Sequence, residues 1–418
     1  MRSQKLSIRL TAALGILTTT LVMAGTRAVA QAEGVLHNFN NNGKDGYSPY
    51  AGLIFDGAGN LYGTTEPGGA YGKGTVFELL PSAGGGWTEK RLHSFGANST
   101  DGNYPQASLI FDGAGNLYGT TYAGGAYGYG TVFELLPAAG GGWMEKVLRN
   151  FKNNGGGANP YAGLIFDPAG NLYGTTVYGG SGSCTQGCGT VFELTPQAGG
   201  GWTEKILHAF SNDGTDGFNP YASLIFDAAG NLYGTTQGGG AHAHGTVFEL
   251  TPRTGGGWTG TILHDFNNNG TDGYNPANLI FDTAGNLFGT TYLGGANSGG
   301  AAFELTPTTG GSWTETLLYS FKNYGSGTAG PSGLTLDTAG NLYGTTPMGG
   351  AEPDRGGTAF ELMPTTGGWT YRLLHSFGLG TDGDSPQSVL IFDAAGNLYG
   401  TTQLGGANNV GTVFEIKP

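Results

Sequence analysis

Two short loops hold the residues best suited to metal or redox chemistry: His242-Ala243-His244, and Cys184 and Cys188 within Ser-Gly-Ser-Cys-Thr-Gln-Gly-Cys-Gly. A metal centre needs three or four strong ligands, and neither loop supplies the carboxylates or further thiols that would complete one. Cys184 and Cys188 are the only cysteines in the chain, and in an exported protein they read as a local disulfide. No metal site is expected from either loop.

The acids carry more information because most of them recur. Seven begin the motif Asp-x-Ala-Gly-Asn-Leu, and seven are the glutamate of Phe-Glu-(Leu/Ile), from Glu78 to Glu415. Acids repeated in every unit hold turns and bond backbone far more often than they catalyse. A glutamate between apolar strands still needs a partner, and the Thr-Thr pair of the neighbouring strand is the expected one. Five more acids, Asp45, Asp101, Asp216, Asp272 and Asp382, sit in Asp-Gly loops, each with a proline four residues on. Oxygen ligands in a glycine-bent loop are the chemistry of calcium, but one acid per loop is few, so a structural turn is the leading reading. Five of the seven histidines share one site in the pattern Leu-His-x-Phe, where Arg149 and Tyr319 stand in the other two copies. That interchange marks a packing or hydrogen-bonding position, so no catalytic residue is assigned.

What varies between units lies in the loops after each Thr-Thr: Glu66, Tyr71 and Lys73; Tyr122, Tyr127 and Tyr129; Tyr178; His242 and His244; Tyr292; and Glu352, Asp354 and Arg355. A uniform scaffold with varied aromatic and polar tips is where a ligand would be read. These residues are the candidate ligand-binding set.

The elements that position them follow from the repeat. Asp-x-Ala-Gly-Asn-Leu starts at Asp56, Asp112, Asp167, Asp227, Asp282, Asp337 and Asp393, at intervals of 56, 55, 60, 55, 55 and 56 residues, the long one holding the cysteine loop. Each unit reads as four short strands. Leu109-Ile110-Phe111 turns through Asp112 to Asn116 into Leu117-Tyr118-Gly119-Thr120-Thr121, then come Thr131 to Leu135 and a strand led by Trp143. Four antiparallel strands repeated seven times predict an all-β, seven-bladed β-propeller. The seventh unit ends at Pro418 without its Trp-led strand, and Val35-Leu36-His37-Asn38-Phe39 matches Arg91-Leu92-His93-Ser94-Phe95, so the N-terminal strand is expected to close the last blade. That closure removes an open edge.

Residues 1–30 read as a secretory signal, with Arg2, Lys5 and Arg9 before an apolar stretch from Leu10 to Met23 and small residues ending at Ala30. The stretch is shorter than the roughly 20 residues a membrane span needs. The mature domain is then 31–418, secreted or periplasmic, with no membrane insertion. It keeps 13 bases against 30 acids, a net charge of −17, which argues against nucleic acid as a partner.

The run Asn219–Pro252, Asn-Pro-Tyr-Ala-Ser-Leu-Ile-Phe-Asp followed by Asn231-Leu-Tyr-Gly-Thr-Thr and Gly245-Thr-Val-Phe-Glu-Leu-Thr-Pro, resembles the GloVer tandem repeat of choice-of-anchor bacterial proteins. The resemblance spans the mature chain and implies an exported propeller; it carries no catalytic residue. The leading expectation is a monomeric binding module for carbohydrate, another extracellular polymer or a surface protein, without a cofactor. Its rivals are a polysaccharide lyase or hydrolase and a structural surface component.

Overall fold

A computed structural model describes residues 33–323, 330–351 and 356–417, and the described residues fall in one compact unit. They contain no helix. The chain forms seven blades of four antiparallel strands in a ring, a seven-bladed β-propeller. Blade one runs Ile54–Phe55, Leu61–Thr65, Thr75–Pro81 and Trp87–Ser94, paired in chain order, and the other blades repeat it.

Local chemistry explains each hairpin. In blade two, Asp112 Oδ1 accepts the backbone N–H groups of Ala114 and Asn116 at 2.8 and 2.9 Å, and its Oδ2 accepts the Asn116 amide at 2.8 Å. Gly115 follows with φ of +85°, which an L side chain rarely adopts. The turn therefore needs both residues.

Register decides what the buried glutamate meets. Tyr118 lies opposite Glu134, and its hydroxyl sits 2.8 Å from Glu134 Oε1 and 3.1 Å from Asp112 Oδ2. The partner is thus tyrosine and not the Thr-Thr pair expected from sequence. One step along the strand the side chains point to the other face, and there Thr121 and Thr131 bond each other at 2.8 Å. Thr120 instead reaches the next blade, donating to the Ala162 carbonyl at 3.0 Å.

Blades meet through aromatic rings. Phe133 lies over Gly119, where an added Cβ would come within 2.6 Å of its ring, and its centroid is 5.0 Å from Phe95 at the end of the preceding outer strand. Equivalent Phe–Phe contacts join all seven junctions, at 4.8–5.3 Å. Each hydrophobic cluster spans a junction; one holds Leu92 and Phe95 of blade one with Phe133 and Leu135 of blade two.

The ring closes as the repeat predicts. Glu33–Asn38 pairs antiparallel with Thr412–Ile416, placing Val35 opposite Phe414, and Phe39 is fully buried against Phe77. Cys184 and Cys188 are joined in a disulfide.

Two predictions follow from this frame. Removing residues 33–39 should lower the melting temperature and cause aggregation, because it leaves Thr412–Ile416 an unpaired edge and removes Leu36 and Phe39, at about 1.5–3 kcal/mol for each buried side chain. A melting curve that stays in place would contradict closure as a source of stability. The second concerns acid. Burial works upward on Asp112, but the donors of Asn116, Ala114 and Tyr118 outweigh it and hold the carboxyl below its usual range; Asp56, Asp337 and Asp393 are held the same way. A carboxyl depressed in the folded state contributes stability above its unfolded value, near 3.9, and loses it as pH falls through the folded value. Melting temperature should therefore drop as pH goes from about 4 towards 2, and Asp→Asn replacement at these four positions should flatten that limb.

Candidate functional site

Each blade carries a proline shortly ahead of the leucine that leads into its innermost strand, after an Asp-Gly loop in five of the seven, and the residue that follows the proline faces the ring axis. In five blades it is large and polar: Tyr50, Gln106, Tyr161, Tyr221 and Gln387. Blades five and six lack this residue. Pro220-Tyr221-Ala222-Ser223-Leu224 shortens to Pro276-Ala277-Asn278-Leu279 and Pro331-Ser332-Gly333-Leu334, and Thr235 bonds the Ala277 carbonyl as Thr175 bonds that of Ala222. The missing side chains open the mouth on one side.

A cavity of about 320 Å³ lies there, lined by Tyr50, Tyr161, Tyr221, Gln237, Asn278, Tyr292, Ser332 and Gln387 among others. That is the lower end of the size of small-molecule sites. The axis narrows beyond it to about 100 Å³ between Gly52, Ser108, Gly163, Ser223, Asn278 and Val389.

The tyrosines form one aromatic cluster. Tyr161 meets Tyr221, Tyr50 and Tyr122 edge to face at centroid distances of 5.0, 5.9 and 6.2 Å. Burial pushes the phenols of Tyr50, Tyr161 and Tyr221 upward, so they stay protonated and keep a donor each.

A second tier comes from the residue after each Thr-Thr: Glu66, Tyr122, Val177, Gln237, Tyr292, Pro347 and Gln403. The two tiers bond each other. Gln106 Nε2 donates to Glu66 Oε1 at 2.7 Å, and Gln387 Nε2 to Gln403 Oε1 at 2.8 Å. Across these twelve positions Glu66 is the single charged group, and no histidine, lysine or arginine is present. Acid–base hydrolysis of a glycosidic bond uses two carboxylates, so these tiers offer aromatic faces, amides and hydroxyls in place of a catalytic pair.

Of the residues singled out in the sequence, Glu66, Tyr122, Tyr178 and Tyr292 converge here; Tyr178 acts on the phenols of both Tyr122 and Tyr221. Among the described residues, the others do not line this mouth. Tyr71, Tyr127 and Tyr129 are exposed loop residues, with Lys152 above the Tyr127 ring. Lys73 bonds the Tyr104 hydroxyl at 2.9 Å, His242 lies 3.2 Å from Asp265, and His244 packs on Tyr274. Glu352, Asp354 and Arg355 lie outside the described residues. Sequence reasoning passed over Tyr50, Gln106, Tyr161, Tyr221, Gln237, Asn278 and Gln387. The signal for Tyr50, Gln106, Tyr161 and Tyr221 was the variable position inside Pro-x-Ala; Gln387 sits in Pro-Gln-Ser, and Gln237 directly follows a Thr-Thr pair.

The aspartates of the Asp-Gly loops are engaged by their own loops and by a histidine. Asp45, Asp101, Asp216 and Asp272 each accept a backbone N–H from four or five residues upstream, and each lies 3.0–3.5 Å from the histidine of the preceding outer strand. Asp382 is 2.8 Å from His375. A third group from the next blade joins three of these pairs: Glu145 beside His93 and Asp101, Glu315 beside His264 and Asp272, and Glu33 beside His375 and Asp382. Burial, then the neighbouring aspartate, pushes Glu145 and Glu315 up to about 7.

None of the curated proteins compared matches the chain. Among solved structures, a luciferin-regenerating enzyme is 12% identical over 93% of this chain and 95% of its own, with a TM-score of 0.45. A gluconolactonase from Xanthomonas campestris is 16% identical over 72% of this chain and 82% of its own, with a TM-score of 0.40. Nothing about the chemistry of this chain follows from likeness at that level. The repeat itself is matched from residue 23 to 200 and again from 181 to 414, and on that match the chain belongs to the Gloeobacter/Verrucomicrobia repeat family.

Proposed function

We propose that the protein is an exported binding module whose axial mouth seats a neutral carbohydrate, such as the end of an extracellular polysaccharide. The observation that carries this is the make-up of the two tiers. Tyr50, Tyr161, Tyr221 and Tyr292 offer flat apolar faces, Gln106, Gln237, Gln387 and Asn278 offer paired donors and acceptors, and the one carboxylate is already held by Gln106. Sugar rings present that combination, apolar faces edged with hydroxyls. An anionic polymer would find no cation among these positions, and a cationic one would find a single charge.

The test is binding to a panel of neutral and acidic glycans, with reducing-end release measured on the same polymers. Aromatic anchors in such sites are worth about 2 kcal/mol or more, roughly thirty-fold in affinity. Tyr221→Ala with Tyr292→Ala should therefore weaken binding at least thirty-fold, while Tyr71→Ala with Tyr127→Ala should leave it unchanged. Reducing ends released by the wild type and lost in Glu66→Gln would replace this reading with an enzymatic one.

A further inference from the structure

We propose that the junction of blades four and five is a divalent transition-metal site, formed by His264, Asp272 and Glu315. One ligand atom from each of the three can be chosen so that all lie within 4.8 Å of one another, a spread that one ion can bridge. Asp272 is only 3% exposed, yet its Oδ1 has no hydrogen-bond partner, nor has Glu315 Oε1, while His264 Nε2 faces both carboxyls, 3.4 Å from Asp272 Oδ2 and 3.9 Å from Glu315 Oε2. Buried polar atoms left this way are costly unless something fills the gap between them.

The other junctions show what is missing. Where arginine stands in the histidine position, Arg149 pairs with Glu204 and the aspartate is absent. Where tyrosine stands there, Tyr319 stacks on Tyr371 at 4.9 Å and both acids are absent. Where histidine and aspartate are kept without the glutamate, Gly260 takes its place and His208 pairs with Asp216 alone. Each of these three junctions carries at most one carboxylate per cation. At His264 a buried and a half-buried carboxylate face one imidazole, and a divalent cation restores the balance that Arg149 supplies elsewhere. The same donor set recurs within that spread around His93 and around His375; His37, Asp45 and Glu89 at the remaining junction are the same residue types but are not drawn so close together.

One imidazole nitrogen with two carboxylate oxygens suits Zn²⁺ or a similar ion. Calcium takes six to eight oxygens, so it is not the expected occupant.

The experiment is calorimetric titration of Zn²⁺ into chelator-treated protein, with Ca²⁺ as a second titrant. Three Zn²⁺ ions are expected, with a rise in melting temperature. Glu315→Gln and, separately, His264→Arg should each remove one ion; the arginine variant supplies at this junction the cation that Arg149 supplies beside Glu204, and so keeps a stable fold. Unchanged stoichiometry in both variants, absence of Zn²⁺ binding, or Ca²⁺ bound in preference would each overturn the proposal.

Discussion

The contact on which the rest of the molecule depends is the buried phenylalanine pair at each blade junction. Phe133 can reach Phe95 only because Gly119 leaves the space its ring occupies, and a Cβ at 2.6 Å would have to displace a fully buried ring. The same three residues, a glycine and two phenylalanines, recur at every junction. With the leucines and tyrosines of each junction cluster, this triplet packs one blade against the next. Interiors packed this tightly transmit even single-methyl changes.

The polar shell is arranged around that packing. The step that points Gly119 at Phe133 also points Tyr118 at Glu134, so one register satisfies a core contact and a buried carboxylate together. Blade five tests the coupling within the same chain. Phe288 replaces the tyrosine there, and Glu304 loses that hydroxyl; burial and the nearby Asp282 then drive its carboxyl upward. The ring tolerates the loss because Phe288 keeps its place in the junction cluster.

The repeat made the fold legible. Seven spaced motifs, strand-length apolar runs and the match of residues 35–39 to 91–95 gave blade number, strand number and closure before any geometry. The site was legible only in part. Periodicity says that Tyr161 is in or near a strand, but not that its blade turns that position towards the axis. Nor does it show that loss of one residue in blades five and six opens the mouth. The partner of the buried glutamate was misread for a related reason. Tyr and Thr-Thr are neighbours in sequence, and only cross-strand register separates the face that meets Glu134 from the face that meets Thr131. The histidine position was read correctly as a hydrogen-bonding site, but its third member comes from another blade some fifty residues on.

Closure has a consequence for how the chain must assemble. Asn38 accepts the N–H of Ala407 from 369 residues away, and the strand around it has no sheet to join until the final five-residue strand exists. Loop-closure entropy rises only with the logarithm of length, so the distance itself is a modest obstacle. Timing is the larger one. Whatever the order in which the blades form, residues 33–38 stay unpaired until residues 412–416 are in place. The ring therefore locks only when the two ends of the chain meet.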